Sequence, residues 1–179
     1  MTGNLIADAA LGSVAAHWDA DRAVTVMYGD HYRSLVRMAA LLVGDVATAE
    51  TVVQDSFVAM HSAWRRLRDS ESALAYLHRS VVNRSRSALR HQRVTGRNRA
   101  RRVPGVRSTP REAPLLLEFA MVRALRALPL RQREALVLIY CGDLTEAQAA
   151  SAMGIRPGAV KGHLSQAIEA LRGGWESKA

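Results

Sequence analysis

A basic segment at residues 93–114 limits, more than any other feature, how this chain can fold. It carries seven arginines against one acidic residue, along with three prolines and two glycines, and it lacks the sustained apolar period of a helix or strand. Such a segment cannot bury enough apolar surface to offset the entropy lost on ordering. We therefore predict a linker, with a small domain on either side of it instead of one continuous core.

Composition indicates that both domains are helical. Hydrophobic residues make up 49% of the 179-residue chain but aromatic residues only 5%, a balance that suits helices better than strands. The predicted fold class is all-α, with two small helical domains joined by the basic flexible linker. The predicted bounds are an N-terminal extension at 1–21, a first domain at 22–92, the linker at 93–114, a second domain at 115–174 and a tail at 175–179.

Apolar residues spaced by three and four predict three helices in the first domain. One runs from about Ala23 to Leu42 and ends at Gly44. The second begins after Asp45, a typical N-cap residue, and the third begins at Ser70 or Ser72. Three such helices can share one core as a bundle. The outer face of the third helix is basic and carries Arg79, Arg84, Arg86, Arg90 and His91.

The second domain contains a helix-turn-helix signature. Helices are predicted at 115–128 and 131–140, and Thr145 with Gln148 has the form of a capping box that opens a short helix. Gly154 then allows a tight turn into a last helix from about Pro157. The exposed side of this helix carries side chains suited to phosphates and base edges, namely Arg156, Lys161, His163, Ser165 and Gln166.

Charge and motif content narrow the function classes. The net charge of +9 indicates a polyanionic partner, and the linker alone contributes +6, either as a solvated tether or as a strand that follows nucleic acid. No metal-spaced His/Cys cluster, phosphate-binding loop or activated nucleophile is visible, so we expect no enzyme activity, no cofactor and no metal ion. A single cysteine and the lack of a long apolar run predict a cytoplasmic protein that does not engage membranes.

Five stretches in order resemble extracytoplasmic-function (ECF) sigma factors of the sigma-70 family, and the small actinobacterial members look nearest. The resemblance covers nearly the whole chain, in spacing as well as in order. The stretches are AETVVQDSF at 49–57, AYLHRSVVN at 75–83, LPLRQREAL at 128–136, LTEAQAASAMG at 144–154 and VK at 160–161.

The resemblance implies an alternative sigma factor that binds core RNA polymerase through the clamp of the beta-prime subunit and the beta flap. Residues implied in core binding or its support are Asp45, Glu50, Gln54, Asp55, Phe57 and Trp64. Phe57 and Trp64 fall on the apolar face of the second helix, so core packing is the better interpretation of these two residues. Glu50, Gln54 and Asp55 also fit an ordinary solvated face, although their place in the matched motif favours polymerase contact.

The resemblance further implies promoter DNA as a partner, and an anti-sigma factor as a candidate regulator. Residues implied at the minus-10 element are Arg79, Asn83, Arg84, Arg86 and Arg90, on a helix whose cationic face suits melted DNA. Residues implied at the minus-35 element are Arg131, Arg133, Thr145, Arg156, Lys161, His163, Ser165 and Gln166. The chain departs from many members at His163 and Gln166, where they have arginine, and at Gly162, where they have serine. These positions therefore offer fewer permanent charges and a glycine that lowers helix stability, so we expect weak binding to isolated minus-35 DNA.

One alternative is a dimeric helix-turn-helix regulator that acts without being a polymerase subunit, because residues 160–164 also resemble a response-regulator recognition helix. Such a regulator needs a receiver or ligand domain, and residues 22–92 show no alternating strands for a receiver. It would bind duplex DNA without polymerase.

Overall fold

The structure is a computed structural model that describes residues 19–67, 69–95 and 121–176, in which every regular element is a helix. This confirms the all-α prediction. The predicted extension up to residue 18, the predicted linker from residue 96 and residues 115–120, for which a helix was predicted, lie outside the described residues. The helices are α1 (Ala20–Val43), α2 (Val46–Ala63), α3 (Ser70–Val94), α4 (Leu130–Tyr140), α5 (Glu146–Met153) and α6 (Pro157–Glu176). A 3-10 turn (Trp64–Arg66) follows α2, and a helical stretch at 121–127 precedes α4.

Short-range rules explain where the first three helices begin and end. Gly44 adopts a left-handed φ of 78° and stops α1, as predicted. The Asp45 carboxylate accepts a hydrogen bond of 3.0 Å from the Thr48 amide and so caps α2. Asp69 caps α3 in the same way, which fixes its first residue as Ser70. At its other end α3 runs to Val94, slightly beyond the predicted start of the linker.

The first three helices pack on one another as a bundle around fully buried side chains. Leu35 from α1, Val53 and Met60 from α2, and Leu77 and Val81 from α3 are all at most 1% exposed. Each helix therefore turns one apolar face inward and leaves the opposite face for solvent or partners.

Helices α4, α5 and α6 form a second unit around Leu138, Met153 and Val160. The predicted capping box is present: the Gln148 amide donates to the Thr145 hydroxyl at 3.3 Å, and the Gln148 side chain accepts from the Thr145 amide at 2.9 Å. Gly154 ends α5 with a φ of 68°, as a helix-turn-helix requires.

The two units also contact each other directly, which the sequence did not predict. Helix α3 packs against α5, and α1 packs against α4. A Cβ atom added at Gly142, after α4, would lie 3.3 Å from the sulfur of Met38 in α1. Side chains of the first unit therefore have neighbours in the second.

The partly buried imidazole of His78 on α3 should make stability depend on pH. Burial, reinforced by nearby His31, lowers the pKa of His78 to about 4. The unfolded chain keeps a pKa near 6.5, so it binds the proton first as the pH falls, and stability is lost between about pH 6.5 and 4. From pH 7 to pH 5 we expect a loss on the order of 2 kcal/mol from this group, measured by urea unfolding.

A His78→Gln variant should lack this part of the pH dependence, because it has no titrating group at that position. His91→Gln is the matched control, since His91 is exposed on the same helix. Parallel stability curves for His78→Gln and the wild type between pH 7 and pH 5 would contradict the prediction.

Candidate nucleic-acid interface

A pocket on the solvent face of α3 gathers most of the residues predicted to read melted DNA. It has a volume of about 320 Å³ and combines an aromatic ring with cations and hydroxyls. Spacing by three and four places its members on one side of the helix. Its lining residues are Tyr76, Arg79, Ser80, Asn83, Arg84 and Ser87. Aromatic and cationic side chains around one concavity suit an unstacked base and its flanking phosphates.

Two polar contacts arrange Arg84 within this pocket. Its Nε donates to the Ser80 hydroxyl at 3.3 Å, and one terminal nitrogen lies 3.6 Å from an Asp55 carboxylate oxygen on α2. Arg79 and Asn83 are exposed beside it. Arg90 is also exposed, one turn beyond the pocket, and it donates to the Ser87 hydroxyl at 3.2 Å. Four of the five residues predicted for the minus-10 element thus face solvent together.

Arg86, the fifth, is engaged by the second unit. Its guanidinium makes two hydrogen bonds of 2.6 and 2.7 Å to the Glu134 carboxylate and a third of 3.1 Å to the Met153 carbonyl. Only 20% of the Arg86 side chain is exposed. The prediction of a free DNA-binding arginine at this position is therefore wrong for the described arrangement, because the guanidinium already has an anionic partner.

The predicted contact of Arg133 with the minus-35 element is also contradicted. Arg133 is buried, and it donates to the carbonyls of Leu42 at 2.7 Å, Arg126 at 3.0 Å and Leu128 at 3.3 Å. Burial, helped by nearby Arg126 and Arg93, lowers the pKa of Arg133. A guanidinium that joins three carbonyls in a core is a structural group and has no surface to offer a phosphate.

Arg131 is partly exposed and partly engaged in contacts within the second unit. It is 45% exposed, while one nitrogen donates to the Met153 carbonyl at 3.1 Å and lies 3.4 Å from a Glu134 oxygen. The exposed part of this side chain leaves it within reach of a phosphate.

Helix α6, predicted to be the recognition helix, and the residue before it present most of the predicted DNA-contacting side chains to solvent. Arg156 and Ser165 are exposed, and His163 is partly buried. Two others have polar neighbours: Lys161 lies 3.5 Å from Glu146, and Gln166 accepts from Gln132 at 3.2 Å. Thr145, in contrast, uses its hydroxyl to cap α5.

The residues predicted to hold polymerase separate into exposed and structural groups. Glu50, Gln54 and Asp55 are exposed on α2. Phe57 and Trp64 are 4% and 8% exposed, which confirms their interpretation as core residues. Asp45 serves as the cap of α2, where it also accepts from the Thr48 hydroxyl.

Sequence reasoning missed an apolar groove beside this face. The groove, of about 410 Å³, lies between α1 and α2, and Gln54 forms part of its wall. Val58 is 68% exposed and Tyr28 40% exposed there. The sequence contained a signal for this groove, because Val58 falls on the polar side of α2 and so interrupts its amphipathic pattern.

No group of three or more His, Cys, Asp or Glu side chains in the described part of the chain could hold a metal ion. No helix among the described residues is long and apolar enough to cross a bilayer.

The family model "Sigma-70 region 2" matches residues 27–95, and "Sigma-70, region 4" matches residues 118–171. The chain is 30% identical over 155 residues to the ECF RNA polymerase sigma factor SigM of Mycobacterium tuberculosis, covering 86% of this chain and 78% of SigM. It is 31% identical over 154 residues to SigL of the same species, covering 82% of this chain and 85% of SigL. The predicted likeness to actinobacterial members is confirmed.

A solved structure shares the fold. CnrH, in complex with the cytosolic domain of CnrY, superposes with a TM-score of 0.71 at 23% identity, covering 97% of this chain and 99% of CnrH.

Two helical units, one with a basic pocket and one with a helix-turn-helix, define a promoter-reading transcription factor. The family-model matches to both regions, together with relatives matched over most of their length, narrow this class to one family. The chain belongs to the ECF family of sigma-70-type RNA polymerase sigma factors. It is an alternative sigma factor, which binds core RNA polymerase and directs promoter-specific transcription initiation. The rival interpretation as an independent dimeric regulator is set aside.

Proposed function

We propose that the three tasks of this sigma factor are divided among three helices: α2 binds core polymerase, α3 reads the minus-10 element and α6 reads the minus-35 element. The single observation that carries this proposal is the pocket on α3, where an aromatic ring, two arginines and an asparagine share one concavity. In this division residues 22–92 act at the polymerase clamp and the minus-10 element. Residues 115–174 act at the beta flap and the minus-35 element.

The minus-10 assignment is supported by the chemistry of the pocket. Extruding a base from the duplex costs a few kcal/mol, which stacking and phosphate contacts must offset. Tyr76 offers a ring, Asn83 offers an amide that can pair with a base edge, and Arg79 offers a cation for the backbone. All three lie within about two turns of one helix, so a single short strand can contact them together.

The minus-35 assignment is supported by the exposed face of α6. Arg156 directly precedes α6 and Lys161 lies near its N-terminus, which is the end of a recognition helix that enters a major groove. Permanent charges are few there, and Lys161 has Glu146 beside it. Binding to isolated minus-35 DNA is therefore weak, and affinity depends on the other two contacts acting through the same chain.

The polymerase assignment is supported by the exposure of Glu50, Gln54 and Asp55 on α2 next to the apolar groove. A polar rim beside apolar surface is the usual composition of a protein interface. The site of action is the cytoplasm, where promoters and polymerase are found. CnrH is seen with the cytosolic domain of CnrY, a likeness that supports an anti-sigma factor as a regulatory partner here.

Replacing Glu50, Gln54 and Asp55 together by alanine should abolish stable co-migration with core RNA polymerase on a sizing column. Truncation of three contacts at the rim and centre of an interface commonly costs several kcal/mol, so we expect affinity to fall by about 100-fold or more. The measurement compares complex formation by wild type and variant at matched concentrations.

A Glu71→Ala/Asp30→Ala variant is the matched control, because it removes two exposed acids outside the proposed face. It should bind polymerase like the wild type. Retention of the complex by the triple variant would refute the assignment of α2. No complex with the wild type, combined with tight binding to duplex DNA alone, would overturn the whole proposal.

A further inference from the structure

A hydrogen bond between two glutamine side chains joins α4 to α6 within the second unit. The Gln132 side-chain nitrogen donates to the Gln166 side-chain oxygen at 3.2 Å. Gln132 is partly buried where α4 packs on α6, whereas Gln166 is exposed and precedes Ala167, which is 0% exposed. The pair therefore lies at the rim of this unit, with one amide against the core and the other at the surface.

The burial of Gln132 decides which way this hydrogen bond runs. The Gln132 side-chain oxygen is buried and has no hydrogen-bond partner among the described residues. Exchanging oxygen and nitrogen in both amides would keep one hydrogen bond, but it would put the Gln132 amino group, with two N–H donors, at that buried position. Buried N–H groups without an acceptor are rarer in proteins than buried carbonyl oxygens without a donor. The oxygen of Gln166 is therefore the end of its amide that is turned toward α4.

This orientation determines what Gln166 can offer to a base pair. Oxygen and nitrogen lie on opposite sides of the planar amide, so the amino group of Gln166 is turned away from α4, and an amino group only donates. In the major groove guanine shows two acceptors, N7 and O6, and thymine shows the acceptor O4. The two-bond contact of glutamine with adenine needs the amide oxygen as well, and cytosine shows a donor. An amide held in this way favours guanine or thymine.

We propose that Gln132 is a positioning residue for minus-35 recognition, which holds the Gln166 amide with its amino group outward and so sets a preference for guanine or thymine. This inference rests on the proposed function in its assignment of α6 to the minus-35 element. Gln132 needs no contact with DNA of its own, because it acts through Gln166. Two helices, α4 and α6, then determine one base preference together.

The test selects promoters from a library randomised in the minus-35 element, with holoenzyme reconstituted from the full chain and core polymerase. Gln166→Ala should relax the preference at one position, which identifies the base pair that Gln166 contacts. At that position the wild type should favour guanine and thymine on one strand over adenine and cytosine by about tenfold, the size expected for a hydrogen bond to a base edge.

Two substitutions of Gln132 should change this preference in different ways. In Gln132→Glu the carboxylate accepts from the Gln166 amino group and turns the amide oxygen outward. The preference should then reverse to adenine and cytosine on the same strand, because both show an amino group in the major groove. Gln132→Leu makes no hydrogen bond, so it should leave the amide free to turn and remove the preference. Circular dichroism should show unchanged helix content in each variant.

A Gln132→Glu/Gln166→Ala double variant is the matched control, because it keeps the new carboxylate but removes the residue through which Gln132 acts. It should show no preference at the identified position. A reversed preference that persists in the double variant would mean that the carboxylate contacts DNA directly, which would overturn the action through Gln166. Gln132→Leu adds no charge, so it decides the question if Gln132→Glu fails to fold.

An unchanged preference in Gln132→Leu, or a wild-type preference for both purines on one strand, would overturn the role of Gln132 and leave the proposed function standing. No relaxation at any minus-35 position in Gln166→Ala would overturn the inference together with the minus-35 contact assigned to Gln166. The failure of the inference and the failure of the proposed contact are therefore distinguishable.

Discussion

Replacing Arg79 and Asn83 together by alanine is expected to reduce promoter-specific transcription by about 100-fold while binding to core polymerase is retained. Each contact to a base edge or to the backbone of a single strand contributes roughly 1–3 kcal/mol, so loss of two contacts gives a change of this size. Both side chains are exposed in the α3 pocket, and neither supports the core. The measurement is run-off transcription with reconstituted holoenzyme, on a promoter selected from a random DNA library.

An Arg33→Ala/Thr25→Ala variant serves as the control, because both residues are exposed on α1 away from the pocket. It should transcribe like the wild type. Normal transcription by the Arg79→Ala/Asn83→Ala variant would mean that the α3 pocket does not read the promoter. Loss of polymerase binding in that variant would mean that α3 acts in holoenzyme assembly.

An Arg133→Met variant is expected to lose about 3 kcal/mol of stability. Methionine fills a similar volume, but it leaves the carbonyls of Leu42, Arg126 and Leu128 without their donor. Hydrogen bonds from a charged group are stronger than neutral ones, and an unsatisfied buried carbonyl carries a desolvation penalty. Relief of the buried charge offsets only part of that loss.

Urea unfolding followed by circular dichroism measures this change. Arg123→Met is the matched control, because Arg123 is exposed on the neighbouring helical stretch at 121–127, and its stability should stay within about 0.5 kcal/mol of wild type. A loss below about 1 kcal/mol in Arg133→Met would show that water or other donors satisfy those carbonyls.

Local rules were enough to predict much of this fold. Asp45 caps α2, Gly44 ends α1, and the Thr145–Gln148 box opens α5, each as the residue type and spacing indicated. These features involve atoms at most four residues apart, so short stretches of sequence determine their geometry. The ECF resemblance supplied the functional class in the same way, from stretches whose order and spacing could be read directly.

The residues that were mispredicted have partners far away in the sequence. Arg86 and Glu134 are 48 residues apart, and Arg133 and Leu42 are 91 residues apart. On a helix drawn alone both arginines fall on polar faces and resemble DNA-binding cations. Only the packing of α3 on α5 and of α1 on α4 shows that they are enclosed. The sequence offered one signal that these arginines have a partner within the chain: Glu134 is the only acid in the arginine-containing stretch 131–134.

The ion pair between Asp55 and Arg84 spans the two surfaces of the first unit, one proposed for polymerase and one for promoter DNA. A partner that draws Asp55 into its own contacts releases Arg84 toward the pocket, and a strand that captures Arg84 releases Asp55. Thermodynamic linkage makes this effect reciprocal: whatever factor polymerase adds to promoter affinity through this pair, promoter adds to polymerase affinity. In double-mutant cycles, the coupling between the two ligands should therefore shrink when either Asp55 or Arg84 is neutralised.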